Sequence, residues 1–415
     1  MKIAIFTENE YKGGLDTFVT NLINYWPNAE DELVLICNRD HPGLETVAEN
    51  LSRDCTVIAH RIPLDWVVLR WANKLPDLLR KVLSVGFRYF FFLSYLPQLR
   101  RLFNRVAPDR LLIVNGGYPA GDTCRAAAIA WAGQTGREPS VHNFHNLAVN
   151  IRWWEAWIEN RIDGLVERSS KRVVSTSHAS AESIRVRPAM ASSTKVGFIH
   201  NGTEGPPAPD PSRATIREAL SIPSDSPIVA MLGTYEPRKG HRFLLEAFAR
   251  VREAVPNVHL VISGFGQADE IARVEGFVDE LGLNESVHLE GFWIDRHHLM
   301  EEASVVVVSS QGFESFGLTL VEAMSHKVPV VSTRIGGTPE VMYKDEGGFS
   351  VETYDLKGFA DNITLLLSDK ATWQEKSDGG YRRYQEYFTI DRMAAEYAAL
   401  VRAGASDTVD FDAKL

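Results

Sequence analysis

Cysteine is scarce in this sequence, whose 415 residues include three, Cys37, Cys55 and Cys124. Their number is odd and their spacing is not that of metal ligands, which excludes a disulfide framework and a cysteine-based zinc site. Free cysteines are typical of a reducing compartment, and we therefore expect a cytoplasmic protein.

Net positive charge is also lacking. The 54 Asp and Glu residues outnumber the 44 Lys and Arg residues, giving a net charge of −10, which argues against general binding of nucleic acid. No Walker phosphate loop or Gly-x-Ser-x-Gly elbow is present, and no Asp-x-Asp motif ends a predicted strand. We therefore expect no catalytic metal ion and no bound cofactor.

Long apolar runs are missing as well. The longest, Val82 to Leu96, is interrupted by Arg88 and falls short of the roughly 20 residues that a membrane-spanning helix needs. The apolar start at Met1–Thr7 is too short for the core of a signal peptide. We expect a chain that does not cross a membrane.

Short β-branched runs alternate with helical patterns along nearly the whole chain, which predicts an α/β fold of right-handed βαβ units and doubly wound parallel sheets. A chain of this length, with 45% hydrophobic and 24% charged residues, is expected to form two domains of about 200 residues each. The predicted strands are Lys2–Phe6, Glu32–Cys37, Cys55–Ala59, Arg110–Val114, Pro139–His145, Arg172–Ser175, Lys195–Ile199, Pro227–Gly233, Val258–Ser263, Val287–Leu289, Val305–Ser309, Pro329–Thr333 and Gly348–Val351.

A proline-rich stretch within residues 203–215 marks the domain boundary, because it can be neither helix nor central strand. We predict an N-terminal Rossmann-like domain over residues 1–202, a linker over 203–215 and a second Rossmann-like domain over 216–380. The two domains are expected to face a cleft, because ligands of such sheets bind at the carboxyl ends of the strands. Residues 381–415 are expected to contain a long helix that crosses back to the first domain.

The segment from Arg61 to Arg110 is unusually basic. It contains ten Arg or Lys and three Asp, interleaved with Trp, Tyr and Phe. This composition is typical of a surface that lies on an anionic membrane, and Arg80, Lys81 and Arg88 are its predicted contacts. The alternative is an insertion whose aromatic side chains pack on their own domain while its arginines are solvated.

The most informative stretch runs from Ser309 to Met324. Good helix-forming residues after Gly317 predict a helix that begins near it, and the N–H groups of its first turn form a ready anion site. Glu314 lies in the loop before this helix, and Glu322 lies about one turn into it. A carboxylate beside an anion site suits a neutral or positive partner, such as sugar hydroxyls or a developing oxocarbenium ion. The alternative is two solvated glutamates.

The two glutamates, separated by seven residues in Phe-Glu-Ser-Phe-Gly-Leu-Thr-Leu-Val-Glu-Ala-Met, resemble the signature of the retaining GT-B glycosyltransferases of family four, the group 1 type. In that family the first glutamate contacts the donor sugar and the second holds the nucleotide ribose, which implies these roles for Glu314 and Glu322. The donor is then expected to lie against the backbone of four further residues, Ser315, Phe316, Gly317 and Leu318.

A basic loop, Gly233–Gly240, follows the first strand of the second domain and resembles a family loop. Loss of a nucleoside diphosphate needs cations where negative charge accumulates, and Arg238 and Lys239 are expected to supply them. Family members often carry Arg directly after the first glycine, where this chain has Thr234, so Arg238 is the expected substitute. The alternative is a solvated basic turn. Gly264 is interpreted as part of the family's glycine turn near the nucleotide.

In the first domain, Gly13 and Gly14 open the helix after the first strand, a turn suited to phosphate or sugar. The turn is similar to the family's N-terminal loop, and the resemblance implies that both glycines bind the donor. The end of the strand Pro139–His145 resembles the place where the family has a histidine that contacts the donor sugar or the acceptor. His145 fits best, and His142 is the alternative. A histidine of the core or of a sheet edge would also explain either residue.

The resemblance implies a retaining, metal-independent hexosyltransferase. Its donor would be a UDP- or GDP-sugar and its acceptor a hydroxyl of a glycan or of a lipid-linked molecule, as in cell-surface polysaccharide assembly at the inner face of the membrane. The departing phosphate oxygen would take the acceptor's proton, with His145 near the reacting centre. Two alternatives stay open, namely another GT-B enzyme such as a nucleotide-sugar 2-epimerase, and a non-catalytic protein that binds nucleotide sugar.

Overall fold

The computed structural model describes residues 1–68, 76–208, 214–291 and 295–404, without the side chains of residues 77–84. Contacts divide the chain into two compact units. Unit 1 comprises Met1–His200 together with the chain from Ile390 onward, and unit 2 comprises Asn201–Thr389. Part of the predicted linker, residues 209–213, lies outside the described residues.

Unit 1 is built on a parallel sheet. Its strands are β1 (Lys2–Thr7), β2 (Glu32–Asn38), β3 (Cys55–His60), β4 (Arg110–Asn115), β5 (Ser140–Phe144), β6 (Ser170–Ser175) and β7 (Val196–Phe198). Their order across the sheet is β3-β2-β1-β4-β5-β6-β7, so the first strand lies inside the sheet and the winding direction reverses beside it, as in a Rossmann fold. β1 is apolar and buried on both faces, which requires helices on both sides of the sheet.

Helices cover both faces of this sheet. They are α1 (Gly14–Asn24), α2 (Leu44–Glu49), α3 (Asp65–Val68), α4 (Asp77–Val106), α5 (Asp122–Ala132), α6 (Ala156–Ser169) and α7 (His178–Ser183). Two apolar cores result, one on each side of β1. None of the described helices is both long enough and apolar enough to cross a bilayer.

Much of the predicted basic aromatic segment forms the single helix α4, which packs on α5. Phe92, Tyr95, Leu99 and Phe103 are at most 3% exposed in the core. For these side chains the structure therefore agrees with packing on their own domain, which was the alternative to a membrane surface.

The expectation that Arg88 faces a membrane is wrong. Its Nε donates to Asp122 Oδ2 at 2.7 Å, and its Nη2 lies 3.6 Å from Glu159 Oε1. The guanidinium is therefore held by carboxylates of α5 and α6 in its own unit. The side chains of Arg80 and Lys81 lie outside the described residues.

Unit 2 repeats the plan with a six-stranded parallel sheet. Its strands are β8 (Ile228–Leu232), β9 (His259–Ser263), β10 (Val287–Glu290), β11 (Val305–Val308), β12 (Val330–Thr333) and β13 (Gly348–Val351). The order is β10-β9-β8-β11-β12-β13. The helices that cover it are α8 (Ile216–Leu220), α9 (His241–Ala254), α10 (Ala268–Glu280), α11 (Arg296–Glu302), α12 (Leu318–Ser325), α13 (Thr338–Val341), α14 (Leu356–Ser368) and α15 (Lys370–Tyr387). The α/β fold and all the predicted strands are thus confirmed to within two residues at each end.

The last helical stretch is broken, although the sequence predicts one helix from Tyr381 to Val401. α15 ends at Tyr387 and a separate helix, α16 (Ile390–Arg402), follows. The break falls at Phe388, whose carbonyl accepts the N–H of Thr203 at 3.0 Å and whose ring packs on Phe316. α15 belongs to unit 2, whereas α16 completes a core of unit 1.

Candidate functional site

In unit 2 the loops after β8 and β11 touch at the carboxyl edge of the sheet. Gly240 has φ +73°, and a Cβ on it would lie 2.1 Å from the Ser309 carbonyl oxygen. Gly264, after β9, would place a Cβ 1.7 Å from the Gly233 carbonyl oxygen. Glycine is therefore required at both positions, and it brings three strand-end loops into direct contact. This explains Gly264 by backbone packing, without a ligand.

Lys239 and Glu314 form the centre of this site. Lys239 Nζ donates to Glu314 Oε2 at 2.6 Å, and Ser310 Oγ donates to the same oxygen at 3.1 Å. Both charged side chains are about 15% exposed. One carboxylate is thus fixed by two donors, with its partner ammonium at the edge of the sheet where ligands of such folds bind.

The glycine pair Gly336-Gly337 supports the Glu314 backbone. A Cβ on Gly336 would lie 1.9 Å from the Glu314 carbonyl oxygen, and the Gly337 N–H donates to that oxygen at 3.0 Å. Gly336 has φ +56°, a conformation that other residues adopt at a cost. The pair therefore acts on Glu314 through the backbone.

Arg238 is placed differently from Lys239. Its Nε donates to Glu236 at 2.5 Å, its Nη1 donates to the Phe313 carbonyl at 3.3 Å, and its side chain is 39% exposed. The structure therefore brings Lys239, and not Arg238, into contact with Glu314. A role for Arg238 as a cation at the site stays a prediction.

Helix α12 begins at Leu318, as the sequence predicts, and Gly317 precedes it with φ +96°. The N–H groups of a first helical turn lack partners within the helix and favour anions. Phe316 is 2% exposed because its ring is buried in the core. Only the backbone of Phe316 can therefore contact a ligand. Contacts of Ser315, Gly317 and Leu318 with a donor stay predictions.

Glu322 lies inside α12 and is 7% exposed. Arg296 Nη1 reaches its Oε1 at 3.5 Å. Burial raises the pKa of Glu322, and the charge of Arg296 acts in the opposite direction. A carboxylate in this setting is ready to accept hydrogen bonds from a neutral hydroxyl group.

Unit 1 has a cavity of about 540 Å³ at the carboxyl ends of β1 and β4. Gly13 and Gly14 line it where α1 begins, and a Cβ on either would meet nothing within 4 Å. The charged groups at the cavity are Glu8, Glu10, Lys12, Asp65, Arg88 and Asp122. Both glycines therefore border open space that a ligand can enter.

The two candidate histidines have different surroundings. His142 is fully buried inside β5, whereas His145 follows the strand and donates its N–H to the Asn115 carbonyl at 3.0 Å. The His145 ring meets Phe18 edge-on at 4.2 Å. Burial lowers the pKa of each imidazole to about 3, so both are neutral near pH 7. Of the two, His145 lies at the carboxyl edge, but it does not line the cavity with Gly13 and Gly14.

Two residues that contact the glutamates, Ser310 and Arg296, were not predicted from the sequence. Ser310 follows β11 directly, and a polar residue at a strand's carboxyl end is a signal that could have identified it. Arg296 is 26 residues from Glu322 and carries no local pattern that would have revealed the pairing.

Both units of the chain match families of known proteins. Residues 212–383 match the family described as glycosyl transferases group 1, and residues 13–202 match the glycosyl transferase 4-like domain. A glycosyltransferase structure from Rickettsia africae aligns over 97% of this chain and 98% of its own, with TM-score 0.74 and 17% identity. Anabaena Alr3699/HepE in complex with UDP aligns over 96% and 99%, with TM-score 0.71 and 18% identity. The fold is therefore GT-B.

Curated proteins of similar sequence match over shorter stretches. A lipopolysaccharide core biosynthesis glycosyltransferase of Rhizobium meliloti is 29% identical over 188 residues, which are 45% of this chain and 53% of that protein. A D-inositol 3-phosphate glycosyltransferase of Mycolicibacterium smegmatis is 28% identical over 244 residues, 56% and 54% respectively. The chain spans about half the length of these relatives. The two family matches together cover most of the residues of this chain. The chain therefore belongs to the group 1 glycosyltransferases.

Proposed function

We propose that this protein transfers a hexose from a nucleoside diphosphate sugar to a hydroxyl group, with retention of configuration and without a metal ion. The observation that carries the proposal is the Lys239–Glu314 pair, which lies beside the first turn of α12. In this assignment Lys239 and the α12 N–H groups stabilise the departing diphosphate. Glu314 then orients the sugar.

A uridine nucleotide is the first donor to test. Anabaena Alr3699/HepE, which has the same fold, was solved with UDP and with UDP-glucose. Glu322 accepts hydrogen bonds from the ribose in this assignment, because its buried carboxylate suits neutral hydroxyls. A guanosine donor stays the alternative.

The cavity of unit 1 is the proposed acceptor site. Four carboxylates and two basic side chains line it, and Arg88 is already paired with Asp122. A phosphate group on the acceptor would meet unneutralised carboxylates, whereas sugar hydroxyls would find acceptors. We therefore assign a neutral glycan or lipid-linked sugar as the acceptor, in contrast to the phosphorylated acceptor named for the inositol relatives.

Assembly of a surface polysaccharide on the cytoplasmic face of a membrane is the proposed setting. One relative is named for lipopolysaccharide core biosynthesis. The three cysteines are free thiols, two of them buried, which suits a reducing compartment.

Thermal unfolding with UDP, GDP, ADP and their common sugars tests the donor site. A ligand at one hundred times its Kd adds about 2.7 kcal/mol to the free energy of unfolding. We expect one nucleotide to raise Tm in the presence or absence of magnesium, and Glu322→Ala to abolish that shift. Glu285→Ala, at a side chain 92% exposed, should leave it unchanged.

Four outcomes would contradict parts of this proposal. No shift with any nucleotide would overturn the donor assignment. Donor binding without transfer to any glycan would favour the non-catalytic alternative, and release of an epimerised sugar would favour the epimerase. Inversion at the anomeric carbon, seen by NMR of the product, would exclude retention.

Arg296→Gln is expected to make donor binding more sensitive to acid. The guanidinium stabilises the ionised form of Glu322, so its removal raises the pKa of that carboxyl and lets it protonate at higher pH. Donor affinity should fall at most about fivefold at neutral pH, because the Arg296 side chain is 39% exposed and solvent screens its charge. The difference from wild type should then grow as pH falls.

The donor affinity of each protein is measured by calorimetric titration with the donor at several pH values between 5 and 8. Burial lowers the pKa of His297 and of His326, whose Nδ1 is 2.9 Å from the Glu322 carbonyl, and the charge of Arg296 adds to this. The comparison is therefore made in a background that carries His297→Gln and His326→Gln. Arg242→Gln, an exposed arginine on α9 that is paired with Glu246, is the control. Parallel pH profiles for wild type and Arg296→Gln would refute the role of Arg296.

A further inference from the structure

Three tryptophans are exposed close together in unit 1. Trp153, Trp154 and Trp157 are 83%, 56% and 68% exposed, whereas Trp26 and Trp131 are 3% and 0% exposed. Tryptophan carries a large apolar area whose exposure to water is costly, and it is on average well buried. Three exposed rings within five residues therefore indicate a surface that is covered in use.

Helix α6 and the turn before it direct their acidic residues inward. Glu155, Glu159 and Asp163 are at most 6% exposed. Glu167 accepts a hydrogen bond from Ser193 at 3.0 Å. These four are all the acidic residues between Val149 and Ser169. The outer face of this stretch consequently carries no free carboxylate.

Arginines occupy the outward positions instead. Trp157, Arg161, Leu165 and Arg168 recur at helical spacing along α6, and each is exposed. The Arg161 guanidinium lies 4.4 Å from the centroid of the Trp157 ring. The face is therefore basic and aromatic, although the whole chain has a net charge of −10.

Helix α4 of the same unit also exposes apolar side chains. Phe90 and Leu93 are 66% and 67% exposed. They lie within about one and a half turns of Arg88, whose guanidinium reaches Glu155 at 4.0 Å and Glu159 at 3.6 Å. These ion pairs link α4 to the start of α6.

We propose that the tryptophan surface, formed by Trp153, Trp154, Trp157, Arg161 and Arg168, binds an anionic lipid bilayer. Indole rings are amphipathic and settle at the level of lipid headgroups. Arginines are attracted to anionic headgroups. An outer face without acidic residues avoids repulsion from such a surface. Binding of lipid by this surface is independent of sugar transfer, so the two proposals are tested separately.

Cosedimentation of the full chain with vesicles tests the proposal without any sugar donor. Wild type should bind vesicles of phosphatidylglycerol and phosphatidylethanolamine, and bind phosphatidylcholine vesicles weakly. Arg161→Glu with Arg168→Glu should weaken binding at least about thirtyfold, because each basic residue near an anionic surface contributes about fivefold. Replacing all three tryptophans with serine should weaken binding to both kinds of vesicle.

Arg101→Glu with Arg105→Glu is the matched control. Both arginines are exposed on α4, about 20 Å along the helix from Arg88, and this variant changes the net charge by the same amount. It should bind far more tightly than the α6 charge variant. Equal loss in both variants, or no binding of wild type to anionic vesicles, would overturn the proposal. Each variant is first checked for wild-type Tm.

Discussion

Replacing Lys239 with Met is expected to lower kcat for sugar transfer by about 100- to 1,000-fold. The Lys239 ammonium is held 2.6 Å from Glu314 at the edge of the unit 2 sheet, where the departing diphosphate is proposed to lie. Without it, the negative charge that develops on the leaving group lacks its nearest compensating cation. Lys357→Met, at a side chain 78% exposed on α14, should retain full activity.

A second variant separates two roles for this lysine. If Lys239 merely orients Glu314, the double variant Lys239→Met/Glu314→Gln should be no slower than Glu314→Gln alone. If it stabilises the leaving group, Lys239→Met should be the slower single variant, and the double variant should be at least as slow. Activity of Lys239→Met near that of wild type would refute its place in the proposed site.

Replacing Glu159 with Ala is expected to lower the free energy of unfolding by about 3–5 kcal/mol. Its carboxylate accepts from Arg125 at 2.8 Å and from Arg187 at 2.5 Å. Both arginines are at most 1% exposed, so the variant leaves two buried positive charges with only Asp122 and Asp163, among the described residues, to compensate them. Urea unfolding gives the measurement. Glu182→Ala, which breaks an exposed pair with Arg185, should cost about 1 kcal/mol or less.

The Glu159 carboxylate is also expected to make the free energy of unfolding depend on pH. Although burial opposes ionisation, the neighbouring arginines hold the pKa of Glu159 at about 2. A glutamate has a pKa of about 4.3 in the unfolded chain. Its stabilising effect is therefore complete above that value and is lost as pH falls toward 2. The difference between wild type and Glu159→Ala should shrink over this interval, and a constant difference would contradict the assignment.

The sheets could be predicted from sequence because each strand is a local pattern. Val305–Val308 is apolar at four successive positions, and such a run suits a parallel strand buried on both faces. The start of α12 could be predicted from an equally local pattern, since Gly317 precedes a run of good helix-forming residues. The break at Phe388 was not predictable in this way, because it depends on a backbone hydrogen bond from Thr203, 185 residues earlier.

The charged contacts were predicted least well. Arg88 was expected to face a membrane, but Asp122 and Glu159, which hold it, are 34 and 71 residues away along the chain. Arg296 was missed for a related reason, since an ion pair between residues far apart in sequence has no local sequence pattern. The positions of Glu314 and Glu322 came from a motif, and the structure adds the groups that orient them.

The passage of α16 into unit 1 has a consequence for the order of folding during synthesis. Tyr397 accepts a hydrogen bond from Asn143 at 2.7 Å, and Arg402 pairs with Asp31 at 2.6 Å. The ribosome must therefore finish unit 2 before it releases the helix that closes unit 1. Until then the apolar face around Ile3 and Leu112, which α16 covers in the folded protein, stays uncovered. Unit 2, which is continuous in sequence, can fold before α16 is made, and part of one face of the unit 1 sheet stays uncovered while residues 201–389 are synthesised.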